Sequence, residues 1–208
     1  KLTPIAFLNF ELGSHLGSGW TIPLGSSQIV GLGLNENSSG IPNTKAFPGV
    51  VSKSWMTGTF QFDVAALWPG DWHHIVVVSG HKIGYENFSG AGHNEAWTYL
   101  ADSGKNFNTF TYDSQYLLGY KMPIRVDMAG ILVTTAQNIG DRPDFDKEFV
   151  FLTIAPLFNL KMNNKSSLLF LFEFANDIKY TDSSNFSRNF RNRVATDESY
   201  FYFKRVAL

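Results

Sequence analysis

The chain has no cysteine among its 208 residues, so neither a disulfide framework nor a thiolate metal site can form. It is also short of charge. Asp, Glu, Lys and Arg make up 17% of residues, where soluble domains carry roughly 25%. The formal net charge of −1 removes any bulk electrostatic case for nucleic acid as a partner. Long apolar runs are missing too: nothing approaches the ~18 consecutive apolar residues of a membrane-crossing helix, and the longest run, within Ser167 to Phe172, is strand-sized. Lys1-Leu2-Thr3-Pro4 shows no apolar signal segment, which fits a mature or trimmed chain, or a cytosolic one. Chemical signatures are equally scarce. There is no GxSxG elbow, no HExxH and no GxxxxGK[ST], and Gly31-Leu32-Gly33 is not followed by a helical pattern.

What the chain does have is aromatic residues, 15% of the total, with 19 phenylalanines. They are arranged two by two. In the stretch from Trp55 to His81, Met56, Gly58, Phe60, Phe62, Val64, Ala66 and Trp68 fall on one side, against Thr57, Thr59, Gln61, Asp63 and Ala65 on the other. Side chains on a strand alternate between faces, so this pattern predicts a long strand with an apolar and a polar face. Pro69-Gly70-Asp71 predicts a tight turn, with a second strand running from Trp72 through Ile75, Val77 and Ser79. Trp68 and Trp72 then flank the turn like an aromatic girdle.

The same alternation recurs. Tyr112 to Met122 and Ile124 to Leu132 predict a second hairpin around Pro123, and Phe149 to Lys161 with Leu168 to Tyr180 a third. A last strand lies in the closing YFYFKRVAL. Upstream, Ile5 to Leu12 and Trp20 to Leu24 are read as an N-terminal hairpin, and Ile29 to Asn35 as a weak strand. Long loops are expected near 37–50, 82–108, 137–147 and 181–198, the second holding a short helix over NEAWTYLA capped by Asn94. The pattern describes a single domain over 1–208. Two all-β architectures satisfy it: an antiparallel up-and-down transmembrane β-barrel of about ten strands, with eight to twelve allowed, or a soluble β-sandwich.

Short turns at one end and long loops at the other, dyad-repeat strands, the WPGDW turn and the aromatic final strand together resemble a bacterial outer-membrane β-barrel protein, from about Trp55 onward. Absence of cysteine is common in that class. One feature departs from it: such barrels usually end on an aromatic residue, and the last residue here is Leu208, which implies an atypical terminus or a shortened chain. The resemblance implies residence in the outer membrane, with lipid and lipopolysaccharide as surroundings and a porin-like transport role as a narrow channel for small solutes. A structural or interaction barrel with protein or oligomeric partners is the other role it allows. Phe60, Phe62, Phe170 and Phe172 would face lipid, and Trp68 and Trp72 would form the girdle. Asp63, Asp113, Lys121, Arg125, Asp127, Glu173 and Asp177 would face the lumen, Arg125 and Asp127 joining a neighbouring carboxylate in a salt-bridged plug. Under the sandwich alternative the protein is secreted and binds carbohydrate or a protein through its loops.

Sites of chemistry are harder to find. His73 and His74 are adjacent on a strand and point to opposite faces, while His73 and His81 are separated by roughly 26 Å of strand, so they cannot share a metal ion. No metal, no cofactor and no catalytic residue is expected from the sequence, although a membrane-embedded barrel hydrolase remains a third functional class. Arg188, Arg191 and Arg193 cluster in a loop and could contact lipopolysaccharide phosphates, or simply be solvated.

Overall fold

The computed structural model describes residues 2–5, 7–24, 27–34, 47–100, 105–146, 148–163, 165–181 and 194–207. It is all-β and antiparallel. The strands are β1 (Leu2–Ile5), β2 (Leu8–Gly17), β3 (Thr21–Leu24), β4 (Ser27–Val30), β5 (Leu32–Leu34), β6 (Val51–Asp63), β7 (Ile75–Phe88), β8 (Trp97–Tyr99), β9 (Thr109–Lys121), β10 (Val126–Ile139), β11 (Phe151–Asn163), β12 (Ser166–Tyr180) and β13 (Ala195–Ala207). Nine of them form one sheet in the order β1-β2-β6-β7-β9-β10-β11-β12-β13, while β3-β4 and β5-β8 make two small sheets. Among the described residues no helix is long and apolar enough to cross a membrane.

Three of the predicted hairpins are present, and in two of them the strands run further than the pattern suggested. Thus β7 continues to Phe88 and β10 to Ile139, shortening the expected loops. The first hairpin differs at its turn. β6 stops at Asp63, whose carboxylate accepts the Ala65 N–H at 3.1 Å and caps a single 3₁₀ turn over Val64–Ala66. Local capping therefore overrides the continued alternation of Val64, Ala66 and Trp68, and both tryptophans lie exposed in the connection 64–74.

The expected N-terminal hairpin is not formed. β2 pairs along its length with β6, while β3 pairs with β4. Nor is NEAWTYLA helical. Asn94 has φ +55°, outside the extended conformation of an N-cap, and Trp97–Tyr99 is the strand that pairs with Leu32–Leu34. Burial decides this: Trp97 is fully enclosed by Leu32, Val51 and Phe88, and such tertiary packing outweighs a weak local helix signal. Arg188, Arg191 and Arg193 lie outside the described residues.

Connections within the main sheet sort by end. One end has 6–7, 64–74, 122–125 and 164–165; the other has 18–50, 89–108, 140–150 and 181–194. The long-connection end is also where two clusters of buried apolar residues form, Leu32, Val51, Phe88 and Trp97 in one, Ala96, Phe107 and Phe145 in the other. The described parts of connections 18–50, 89–108 and 140–150 are therefore packed together at that end of the sheet.

Candidate functional site

Register assigns every strand residue to one of two faces, because directly opposed residues share a side. Lys53 opposes Glu86, Thr57 opposes Lys82, Lys82 opposes Asp113, Gln115 opposes Thr134, and Thr134 opposes Thr153. This polar face also carries Asp63, Lys121, Glu173 and Asp177. The other carries Phe60, Phe62, Val77, Leu118, Ile131, Phe158, Phe170, Phe172 and Phe174 in matching rows. The sorting is chemical in the main, although Val78, Leu117, Leu132 and Leu171 also stand on the polar side.

The polar face is the more enclosed of the two. Along β7, Gly80, Gly84 and Phe88 of that face are buried, while Ile75, Ile83 and Tyr85 of the apolar face are exposed. On the apolar side Leu118 is 55% exposed, and Phe201 and Phe203 are 54% exposed. Among the described residues no second sheet lies against these side chains. They pack laterally on each other instead: Phe158 stacks on Phe170 at 4.7 Å between centroids and on Phe172 at 6.1 Å, and Phe174 meets Phe203 at 5.4 Å.

Recesses open on the polar face. One of about 330 Å³ is lined mainly by Thr57, Lys82, Asp113, Gln115, Thr134 and Thr153, and also by His81, Ser114 and Thr135. Its charges are paired. Lys82 Nζ lies 3.7 Å from Asp113 and 5.7 Å from the centre of the Trp55 ring, and Lys53 Nζ reaches Glu86 at 2.9 Å. On the β12–β13 side Arg205 grips Glu173 with two hydrogen bonds, of 2.9 and 3.0 Å, and Lys204 stands 3.7 Å from the same carboxylate. Trp55 is packed over Gly13, where a Cβ would overlap the indole ring.

At the short-connection end Asp63 Oδ2 and His74 Nδ1 are 2.8 Å apart. Arg125 sits in the connection 122–125, and Asp127 accepts from Asn159 Nδ2 at 2.6 Å; among the described residues the two join no common ion pair. Ion pairs across the ladder were thus invisible in the individual strands, since they depend on register between strands. Among the described residues no cluster of His, Asp or Glu is arranged to hold a metal ion.

A second polar constellation stands on the apolar face. Ser79 Oγ is 3.0 Å from His81 Nε2, and His81 Nδ1 is 2.7 Å from the Tyr112 hydroxyl. The His81 ring stacks on Tyr112 and meets Tyr116 edge-on, at 6.1 and 5.6 Å. Next to it, Ser114 and Thr135 share a hydrogen bond of 2.7 Å. Set against family models, curated proteins and solved structures, the chain matches none of them.

Proposed function

We propose that this chain is a β-barrel of the bacterial outer membrane whose lumen is closed by its own side chains, acting as a structural or interaction barrel and not as an open channel. The observation that carries the reading is the inverted sheet: its polar face is the more enclosed of the two and its apolar face is largely uncovered. In water that arrangement is unfavourable, because contiguous apolar patches beyond a few hundred Å² are rare on soluble monomers. In lipid it is the expected one, since a barrel turns its apolar side outward and pairs its polar groups within.

Strand length and direction support it. Eight strands, β2, β6, β7 and β9–β13, have 10 to 15 residues each, against the ~9–11 needed to cross a bilayer at a tilt. They alternate in direction, so β2 and β13 run antiparallel to each other, and hydrogen bonding between them would close an even-stranded barrel. β1 occupies only the start of β2, up to Phe10, and leaves the remainder of that edge for β13. Eight strands closed on themselves leave a space narrow enough for side chains to fill, and Trp55, Lys82–Asp113 and Glu173–Arg205 on the polar face would occupy it.

Planar-bilayer recording tests the closed lumen. Purified protein should give no sustained ion current, and Trp55→Ala combined with Lys82→Ala should introduce one. A steady current through the unaltered protein would restore the narrow-channel role for small solutes.

A further inference from the structure

We propose that Ser79, His81 and Tyr112 form a serine acyl-hydrolase site on the apolar face of the sheet, acting on carboxylic esters of acyl chains. The proposal rests on the membrane reading for how its substrate arrives and for the cost of keeping an imidazole on that face.

The geometry is that of a nucleophile, a base and an orienting group. A serine hydroxyl is a weak nucleophile until a base within about 2.6–3.2 Å takes its proton, and the base needs a partner on its other nitrogen to fix tautomer and ring orientation. Ser79 Oγ lies 3.0 Å from His81 Nε2, and Tyr112 Oη lies 2.7 Å from His81 Nδ1. If Nδ1–H donates to the tyrosine oxygen, Nε2 is left to accept from Ser79. Two-residue spacing on β7 puts the serine and histidine on one face, and the ladder brings Tyr112, opposite Ile83, alongside. No linear motif encodes this, because the third group belongs to another strand.

Position argues for use. Ser79 and His81 interrupt a face otherwise built of Phe60, Phe62, Val77, Leu118 and Val133, and with Ser114, Thr135 and Gln137 they make a polar island within it. An imidazole on an apolar, lipid-directed surface is costly to keep there and marks a functional site. The apolar surround is suited to an acyl chain lying along the sheet with its ester over the island.

The reaction balances with water as the only co-reactant. Ser79 Oγ bonds to the ester carbon while His81 Nε2 takes the hydroxyl proton. The tetrahedral adduct collapses, the bond to the leaving oxygen breaks, and His81 delivers that proton to the departing alcohol. Water then attacks the acyl-serine, giving its proton to His81, which returns it to Ser79 as the carboxylic acid leaves. In this scheme the Ser114–Thr135 hydroxyl pair, opposite His81 in the register, would supply the donor to the developing oxyanion.

The test treats the full chain in detergent micelles with an alkyl fluorophosphonate and maps the adduct by mass spectrometry. In parallel it measures hydrolysis of p-nitrophenyl butyrate and of phosphatidylcholine in mixed micelles. We expect the adduct on Ser79, with ester hydrolysis reduced at least ~100-fold in Ser79→Ala and His81→Ala. Tyr112→Phe should lower kcat with KM unchanged, the mark of a positioning group. Folded protein, verified by its strand circular dichroism, that hydrolyses neither ester and takes no label at Ser79 overturns the proposal and leaves the membrane reading intact. Labelling at Ser79 in a protein that stays monodisperse without detergent upholds the site and defeats the membrane reading.

Discussion

Asp146 shows at the scale of one residue how the loop end is held. It is 4% exposed, in the connection 140–150, and accepts from Asn138 Nδ2 at 2.8 Å. Burial pushes its carboxyl above the ordinary carboxylate range, opposed by the Asn138 hydrogen bond and by the charges of Lys105 and Arg142. A group whose folded pKa is raised binds more protons folded than unfolded, so its contribution is complete at pH below the unfolded value. It is lost as pH rises through the folded one. Limited proteolysis of the loop end should therefore be slower on the acid side of the Asp146 titration than at neutral pH. Asp146→Asn, which keeps an oxygen toward Asn138, should remove this difference and slow cleavage at neutral pH; an unchanged pH slope would contradict the assignment.

At the scale of the element, β2 and β6 are matched by volume as well as by hydrogen bonds. Gly13 opposes Trp55, and the indole occupies the space that any side chain on residue 13 would need. Overpacking of this kind costs roughly 1–3 kcal/mol. Gly13→Val should lower the urea midpoint accordingly, and adding Trp55→Ala should recover part of the loss; additive losses would show the two sites to be independent. This pairing also marks the limit of what could be read from the chain. Alternation along Phe60–Phe62 or Phe170–Phe172 reveals strands and faces directly, because a two-residue period is local information. The partner of β2 lies beyond the long connection 18–50, so pattern alone favoured the nearer Trp20 to Leu24. Trp97 escaped for a related reason, its extended conformation being imposed by Leu32, Val51 and Phe88 from other segments. Of the polar-face residues, Asp63, Asp113, Lys121, Glu173 and Asp177 were assignable by parity. The pairing of Glu173 with Arg205 and of Lys82 with Asp113 required the register. Ser79 and His81 were separately visible as ordinary residues, and only Tyr112 on β9 turned them into a site.

At the scale of the whole molecule, a nine-stranded antiparallel sheet keeps ion pairs and polar recesses on one side and an uncovered aromatic surface on the other. The described parts of connections 18–50, 89–108 and 140–150 pack together at one end, while three of the four short connections, 6–7, 122–125 and 164–165, have four residues or fewer. Closure of β13 onto β2 would remove both edges of the eight long strands and give each residue of β12 a definite surrounding, lipid or lumen. Because the chain has no cysteine, single cysteines can be placed and spin-labelled along β12 without interference. In reconstituted bilayers, labels at Leu168, Phe170, Phe172 and Phe174 should be broadened strongly by oxygen, which partitions into lipid. Labels at Leu169, Leu171 and Glu173 should not, giving a two-residue oscillation across the strand. Equal oxygen broadening at both sets, or strong broadening by a water-soluble nickel chelate at the phenylalanine positions, would contradict a lipid-facing sheet.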